Sequence, residues 1–348
     1  MIHAQYAHHA FNKVVKDSVF DIVKKQKEVG IDIISDGEMS KISYATYVKD
    51  RYNGFAGDSP RNAPSDLKRF PSYLKKLAES GGTPTYSRPC CVSKISSKGD
   101  SELIADIKNL KNAMKKNNLS KGFMNSASPG VISLFLANSF YKTRTEYLLA
   151  ISEAMEKEFN LIANSGLNLQ LDCPDLALSR HMIFSELSDR EFIKIANENN
   201  FDHVVSIQNE YSLLCRFYDT DLAEVSHNEK ISLLSYSPLA AGLLSGKYQD
   251  GKVPEKSRLK ATPGLMGRFN PRSLLAVANY LNIAKKYQLN PVHMALAFCD
   301  TKPFMGSTIF GATTNEQLKT IINGLDVELS DEVLRDLDKV HREFPFPI

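Results

Sequence analysis

Two stretches of this sequence place carboxylates where a β-rich apolar run stops. In IISDGEMSK the run ends at Asp36, Gly37 and Glu38, and in LNLQLDCPDLA it ends at Gln170, Asp172 and Asp175 around Pro174. Acidic groups from two strand ends that face one mouth hold a substrate ammonium through charge-assisted hydrogen bonds. Their competing use is to cap the following helix at its positive N-terminus. Capping suits Asp175, whereas ligand binding suits Glu38 and Asp172. The adjacent Cys90 and Cys91 read as small buried hydrophobes rather than a thiol site.

Seven β-rich runs carry these groups: residues 31–35, Tyr86–Val92, Gly122–Ser126, Leu167–Leu171, His203–Ile207, Ser232–Tyr236 and Met305–Phe310. They alternate with helical patterns, which implies parallel βαβ units. In VFDIVKKQKEV, Val19, Ile22, Val23 and Gln26 share a helical face and Gly30 stops the helix. Further helices read at Ser101–Asn117, Thr143–Asn164, Ser188–Asn199, Asp219–His227, Pro271–Tyr287, Asn315–Asn323 and in SDEVLRDLDKVH. Thr143 with Glu146, and Ser188 with Glu191, have capping-box spacing. Segments Gly54–Pro64, Ser80–Pro89 and Ser245–Asn270 read as loops. Such an alternation fits an eight-stranded (β/α) barrel or an open doubly wound sheet, and the absence of GxGxxG after the first run favours the barrel.

Composition narrows the function. The 348 residues are 43% apolar, with 43 Lys and Arg against 40 Asp and Glu, a net charge of +3 and no Trp. A small, interspersed charge offers little counterion release, so nucleic acid is not the expected partner. No apolar run reaches the length of a membrane span. Five cysteines without CxxC spacing, and a start without a basic-then-apolar leader pattern, indicate a reducing cytoplasm.

Three segments, VKKQKEVGIDIISDGE, FMNSASPGVISLF and YLLAISEAMEKEFNLIANSGLNLQLDCPDLALSRH, resemble the cobalamin-independent methionine synthase family in its single-barrel form, over residues 19–197. That resemblance implies a TIM-type barrel in which Glu38 and Asp172 bind the amino group of homocysteine or methionine. Residues 1–18 do not match the family's first strand. The chain also lacks the family's His-x-Cys zinc ligands: His181, His203, His227 and His293 are each followed two residues on by something else. The expectation is therefore no zinc and no metal site.

From residue 200 onward FDHVVSIQNEYSLLCR, LLSYSPLAAGLLSGKY, PVHMALAF and STIFGATTNEQL resemble the C-terminal portion of an aldo/keto reductase. The resemblance implies NADPH as cofactor. Gln208 would bond the nicotinamide carboxamide, Tyr236 would stack on its ring, and Ser237, Pro238, Leu239 and Gly242 would wrap the pyrophosphate. Gly311, Thr313, Thr314 and Gln317 would receive the adenosine phosphate. Ile321 stands where that family has an adenine-contacting Asn. The family's catalytic tetrad comes from its first four strands, which this chain does not match, so no acid is named and weak cofactor binding with little turnover is expected.

The combined reading is an α/β, composite TIM-type barrel: a methionine-synthase-like half over 1–197, a reductase-like half over 198–348, and a join at Ala196–Asp202. The expected function is an impaired NADPH-dependent oxidoreductase acting on a small molecule. The alternatives are a methyltransferase-like protein without its zinc ligands and a fusion product without catalysis.

Overall fold

The structure, a computed structural model, describes residues 2–57, 69–72, 75, 89–175, 186–198 and 204–348. The chain divides into two compact units, Met1–Asn200 and Phe201–Ile348. Residues 199–202 of the expected join, the first residue of the His203 run and residues 86–88 of the Tyr86 run fall outside the described residues.

The first unit opens on a helix, Ile2–Glu28, longer than the VFDIVKKQKEV pattern alone. Val15, Val19 and Val23 recur every four residues and bury one stripe with Leu103 and Leu110 of helix Ser101–Lys116. Gly30, at φ +86°, ends the helix, with Ile31 N–H reaching back to the Gln26 carbonyl at 3.0 Å. Left-handed backbone favours glycine at such a stop.

The strand expected at 31–35 is reduced to one parallel bridge, Ile34 to Gly122. On the side facing away from that bridge, the Gln26 carboxamide donates to the Ser35 carbonyl at 2.9 Å and accepts from the Ser35 N–H at 3.0 Å.

Strands β1 (Tyr52–Ala56) and β2 (Cys90–Ser97) pair antiparallel, so the run near Cys90 is not the parallel strand expected. β1 lies in a segment read as loop because of Gly54. That glycine is a strand kink, with φ +103° at the register shift, and a Cβ there would lie 2.9 Å from the Ser93 carbonyl oxygen. Strands β3 (Phe123–Ala127) and β4 (Asn168–Asp172) do pair parallel, in register from Phe123 and Asn168 to Ala127 and Asp172. Helix Arg144–Asn164 connects them, started by the expected Thr143–Glu146 box.

The second unit is a parallel three-stranded sheet in the order β5 (Ser206–Glu210), β6 (Ser232–Tyr236), β7 (Met305–Thr308). Helix Leu222–Glu229 joins β5 to β6, and helices Pro271–Lys286 and Pro291–Asp300 lie between β6 and β7. Sequential parallel strands joined through helices define an α/β unit. Tyr211, Leu233, Tyr280, Phe298 and Leu337 are buried in its core. Helix Asp331–Glu343 contributes Val333, Leu337 and Val340 at spacings of four and three.

Candidate functional site

Parallel strands gather their carboxyl ends on one side, and the second unit's cleft lies there. Glu210 ends β5 and stands in register with Tyr236, which ends β6. Both line a cleft of about 510 Å³ with Phe217, Met266 and Arg268. Tyr236 is 38% exposed, its ring available on the cleft wall. Burial pushes its phenol above the usual range, and Glu210 adds to that against the pull of Arg268.

Arg268 grips Glu210 with two parallel bonds, Nε to Oε1 at 2.8 Å and Nη2 to Oε2. This fork keeps the guanidinium charged. The Cys215 thiol on the same wall is pushed up to about 11, first by burial and then by Glu210, which leaves it unreactive near neutrality.

Past Tyr236 the chain makes a tight turn. Ser237, Ala240 and Ala241 are left-handed, at φ +55°, +47° and +57°, and Gly242 follows at φ +94°. Ala240 N–H bonds the Ser237 carbonyl at 2.8 Å, and Gly242 N–H the Leu239 carbonyl at 2.9 Å. Non-glycine residues in this region carry strain, which proteins concentrate at ligand clamps. Lys247 lies over the turn: a Cβ on Gly242 would stand 2.7 Å from its Nζ.

At the turn after β7, Thr314 caps helix Asn315–Ile322 by accepting from the Gln317 N–H at 3.2 Å. Gln317 Oε1 accepts from both the N–H and the hydroxyl of Thr313, each at 2.9 Å. The Gln317 carbonyl is thus committed to the turn, and its amide nitrogen is left to donate. A Cβ on Gly311 would meet nothing within 4 Å, so the space beside it is open. Gln208 is exposed on β5, and Ile321 is buried and presents no polar group.

In the first unit, Glu38 sits at φ +54° beyond Gly37, its N–H bonded to Asp36 Oδ1 at 3.0 Å. Asp172 ends β4. The structure brings the two charges into range of each other. Burial pushes the Glu38 carboxyl up, Lys41 opposes this at 3.8 Å, and Asp172 and Asp36 add to the rise. Glu38 Oε1 is buried without a hydrogen-bond partner.

Lys41, with its side chain 4% exposed, donates to the Asn125 carbonyl and lies over the Tyr47 ring. Behind it Glu158 accepts from Tyr47 at 2.7 Å, Ser126 at 2.7 Å and Tyr52 at 3.0 Å, and Arg51 pairs with Asp106. Asp175 accepts from Ser128, the N-cap of helix Pro129–Phe135; the residues it was expected to cap lie outside the described set. Cys91 is fully buried, its thiol pushed up to about 11 by burial, as a packing residue requires. Among the described residues no three His, Cys, Asp or Glu side chains cluster as a metal site.

The aldo/keto reductase family matches this chain over residues 179–342. Over that segment, just under half of its length, the chain is similar to that family. The match begins upstream of the join expected at Ala196–Asp202. Protein tas from Escherichia coli K12 is 41% identical over 156 residues, 45% of each chain. An aldo-keto reductase from Babesia bovis is 33% identical over 165 residues, 45% of this chain and 58% of that one. A putative voltage-gated potassium channel subunit beta from Schizosaccharomyces pombe is 30% identical over 162 residues, 44% of this chain and 47% of that one. The chain thus spans about half the length of the curated relatives it matches. A solved glycerol dehydrogenase from Gluconobacter oxydans covers 95% of this chain and 86% of its own at 14% identity and a TM-score of 0.44.

Three residues of the reductase-like unit escaped the sequence reading. Glu210 and Arg268 lie 58 positions apart and meet only through the fold. Lys247 did carry a signal, since SGKY directly follows the wrapping turn.

Proposed function

We propose that the reductase-like unit binds NADPH at the carboxyl ends of β5 to β7. The carrying observation is Tyr236, which presents its ring to the cleft beside a strained turn of four left-handed residues. In this reading Tyr236 stacks on the nicotinamide, Gln208 bonds its carboxamide, and Ser237, Pro238, Leu239 and Gly242 wrap the pyrophosphate with Lys247 as counter-cation. Gly311, Thr313, Thr314 and Gln317 receive the adenosine phosphate, with Gln317 donating through its amide. The unit's residues fit the cofactor at its nicotinamide end, where ring, turn and cation come together. The fit is poorer at the adenine end, where Ile321 is packed inside.

Bound NADPH supplies a hydride. The chain's part is to orient the ring and keep its reactive face toward the cleft. A general acid typically contributes ~10²- to 10⁴-fold, and none is assigned, so slow reduction of a small carbonyl compound in a reducing cytoplasm is the proposed activity. The composite barrel belongs to the same reading. The test is NADPH fluorescence titration of the native chain and of Tyr236→Ala. Saturable binding that the substitution weakens is expected; binding indifferent to Tyr236 refutes it.

A second reading concerns the first unit. We propose that Glu38 and Asp172 hold a ligand ammonium, because Glu38 Oε1 is buried, has no hydrogen-bond partner, meets Lys41 only as an ion pair at 3.8 Å and is close enough to feel Asp172. This carries the methionine-synthase resemblance only as far as an amine site, with no metal and no methyl transfer. Calorimetry with homocysteine should show binding lost in Glu38→Gln; equal heats from both proteins would dismiss it.

A further inference from the structure

Among the described residues lining the cleft, Arg268 is the only cation, and its fork is already closed on Glu210. Both side chains of the pair are 15% exposed, so each is largely shielded from water. A carboxylate ligand would have to displace Glu210 from the fork and leave it unpaired, which is strongly unfavourable for a shielded charge. Asp221 stands on the same rim as a further negative charge, with one oxygen committed to the Leu222 N–H at 2.6 Å. The remaining rim is apolar or neutral: Phe217, Met266 and Tyr236, with Asn209 at the end of β5.

The backbone explains why the pair is fixed. Gly264, Leu265, Met266 and Gly267 are all left-handed, at φ +74°, +46°, +56° and +93°. Leu265 is fully buried and anchors this coil, which leaves Met266 out at the lip with 63% exposure. Arg268 Nη1 also bonds the Leu265 carbonyl at 3.3 Å, so the guanidinium ties the coil to β5.

We propose that the Glu210–Arg268 pair sets the ligand class of this cleft: it admits flat, neutral aromatic molecules and turns away their carboxylates. This rests on the reductase reading for the identity of the cleft as a substrate site. Glu210 is then the specificity-determining residue, because it occupies the one guanidinium that an acid would seek.

The test titrates the full chain with benzamide and with benzoate by calorimetry, with and without NADPH. The native protein is expected to bind benzamide at least about tenfold more tightly than benzoate, a difference well within calorimetric resolution. Glu210→Gln frees the fork and should reverse that order, and Glu210→Gln with Arg268→Gln should restore the neutral preference. Asp221→Asn, at an exposed position, should raise benzoate binding severalfold without touching the pair. A native preference for benzoate, no binding of either probe, or an unchanged ratio in folded Glu210→Gln and Asp221→Asn would each overturn the proposal. The probes do not require cofactor. Loss of the NADPH reading with the charge preference intact therefore refutes only the former.

Discussion

Gly242 closes the turn after Tyr236 at φ +94°, where any side chain is strained, and its Cβ would also push Lys247 aside. Gly242→Ala should cost on the order of 1 kcal/mol of stability from the backbone term. It should also weaken NADPH binding in a protein that still folds; a urea midpoint and a fluorescence titration measure the two effects. His341 gives the second unit a pH response. Burial holds its imidazole below the usual 6.5, with Arg216 and Lys302 adding to that and Asp219 and Asp338 opposing them. Its ring packs edge-on to Phe346, which stacks on Phe217 of the cleft wall. The unfolded chain takes up this proton first as pH falls through about 6.5, so stability is present above that value and declines below it. Urea midpoints at pH 7.5 and 5.5 should therefore converge more in His341→Gln than in the native protein. Equal losses in both would show that His341 does not titrate in this way.

Helix Arg144–Asn164 depends on the box built by Thr143 and Glu146. Thr143→Ala should cost ~0.5 to 2 kcal/mol, read from the urea midpoint, and Thr143→Ser should restore most of it. Such boxes were legible because they consist of two residue types at fixed spacing, and the Ser188–Glu191 pair is also made, at 2.8 and 3.3 Å. Parallel strands β3, β4, β6 and β7 were legible from apolar runs followed by turn residues, whereas β5 was expected to stop at Ile207 and runs instead over Ser206–Glu210, whose polar end broke the apolar pattern. β1 was not, because Gly54 looks like loop punctuation until the partner strand is in place. Helix Pro291–Asp300 was missed as well: with Met294 to Cys299 all buried, it shows no polar face to set a period. Its start was nevertheless written in Asn290, which caps Val292, and in Pro291 at the first helical position.

The two units differ in what their sequence discloses about function. In the reductase-like unit a motif resemblance named the residues from Gln208 to Gln317 one by one, and the cleft brings Tyr236 to its wall. Physical patterning alone would have left that tyrosine as a core aromatic. The Glu210–Arg268 pair and the Arg51, Asp106 and Glu158 cluster stayed hidden because their members are 52 to 58 positions or more apart in sequence and meet only on packing. Glu38 and Asp172 stood out as acids after β-rich runs, although only Asp172 ends a strand, and the buried Glu38 oxygen without a hydrogen-bond partner needed the fold. The claim that binds these observations together is that a nicotinamide ring rests on Tyr236. Its most direct measurement is the change in NADPH fluorescence on titration with the native chain and with Tyr236→Ala. The expected result is saturable binding by the native protein and at least about tenfold weaker binding by the variant, a loss of roughly 1.4 kcal/mol. Two superimposable curves, or no saturable signal from the native chain, would contradict it.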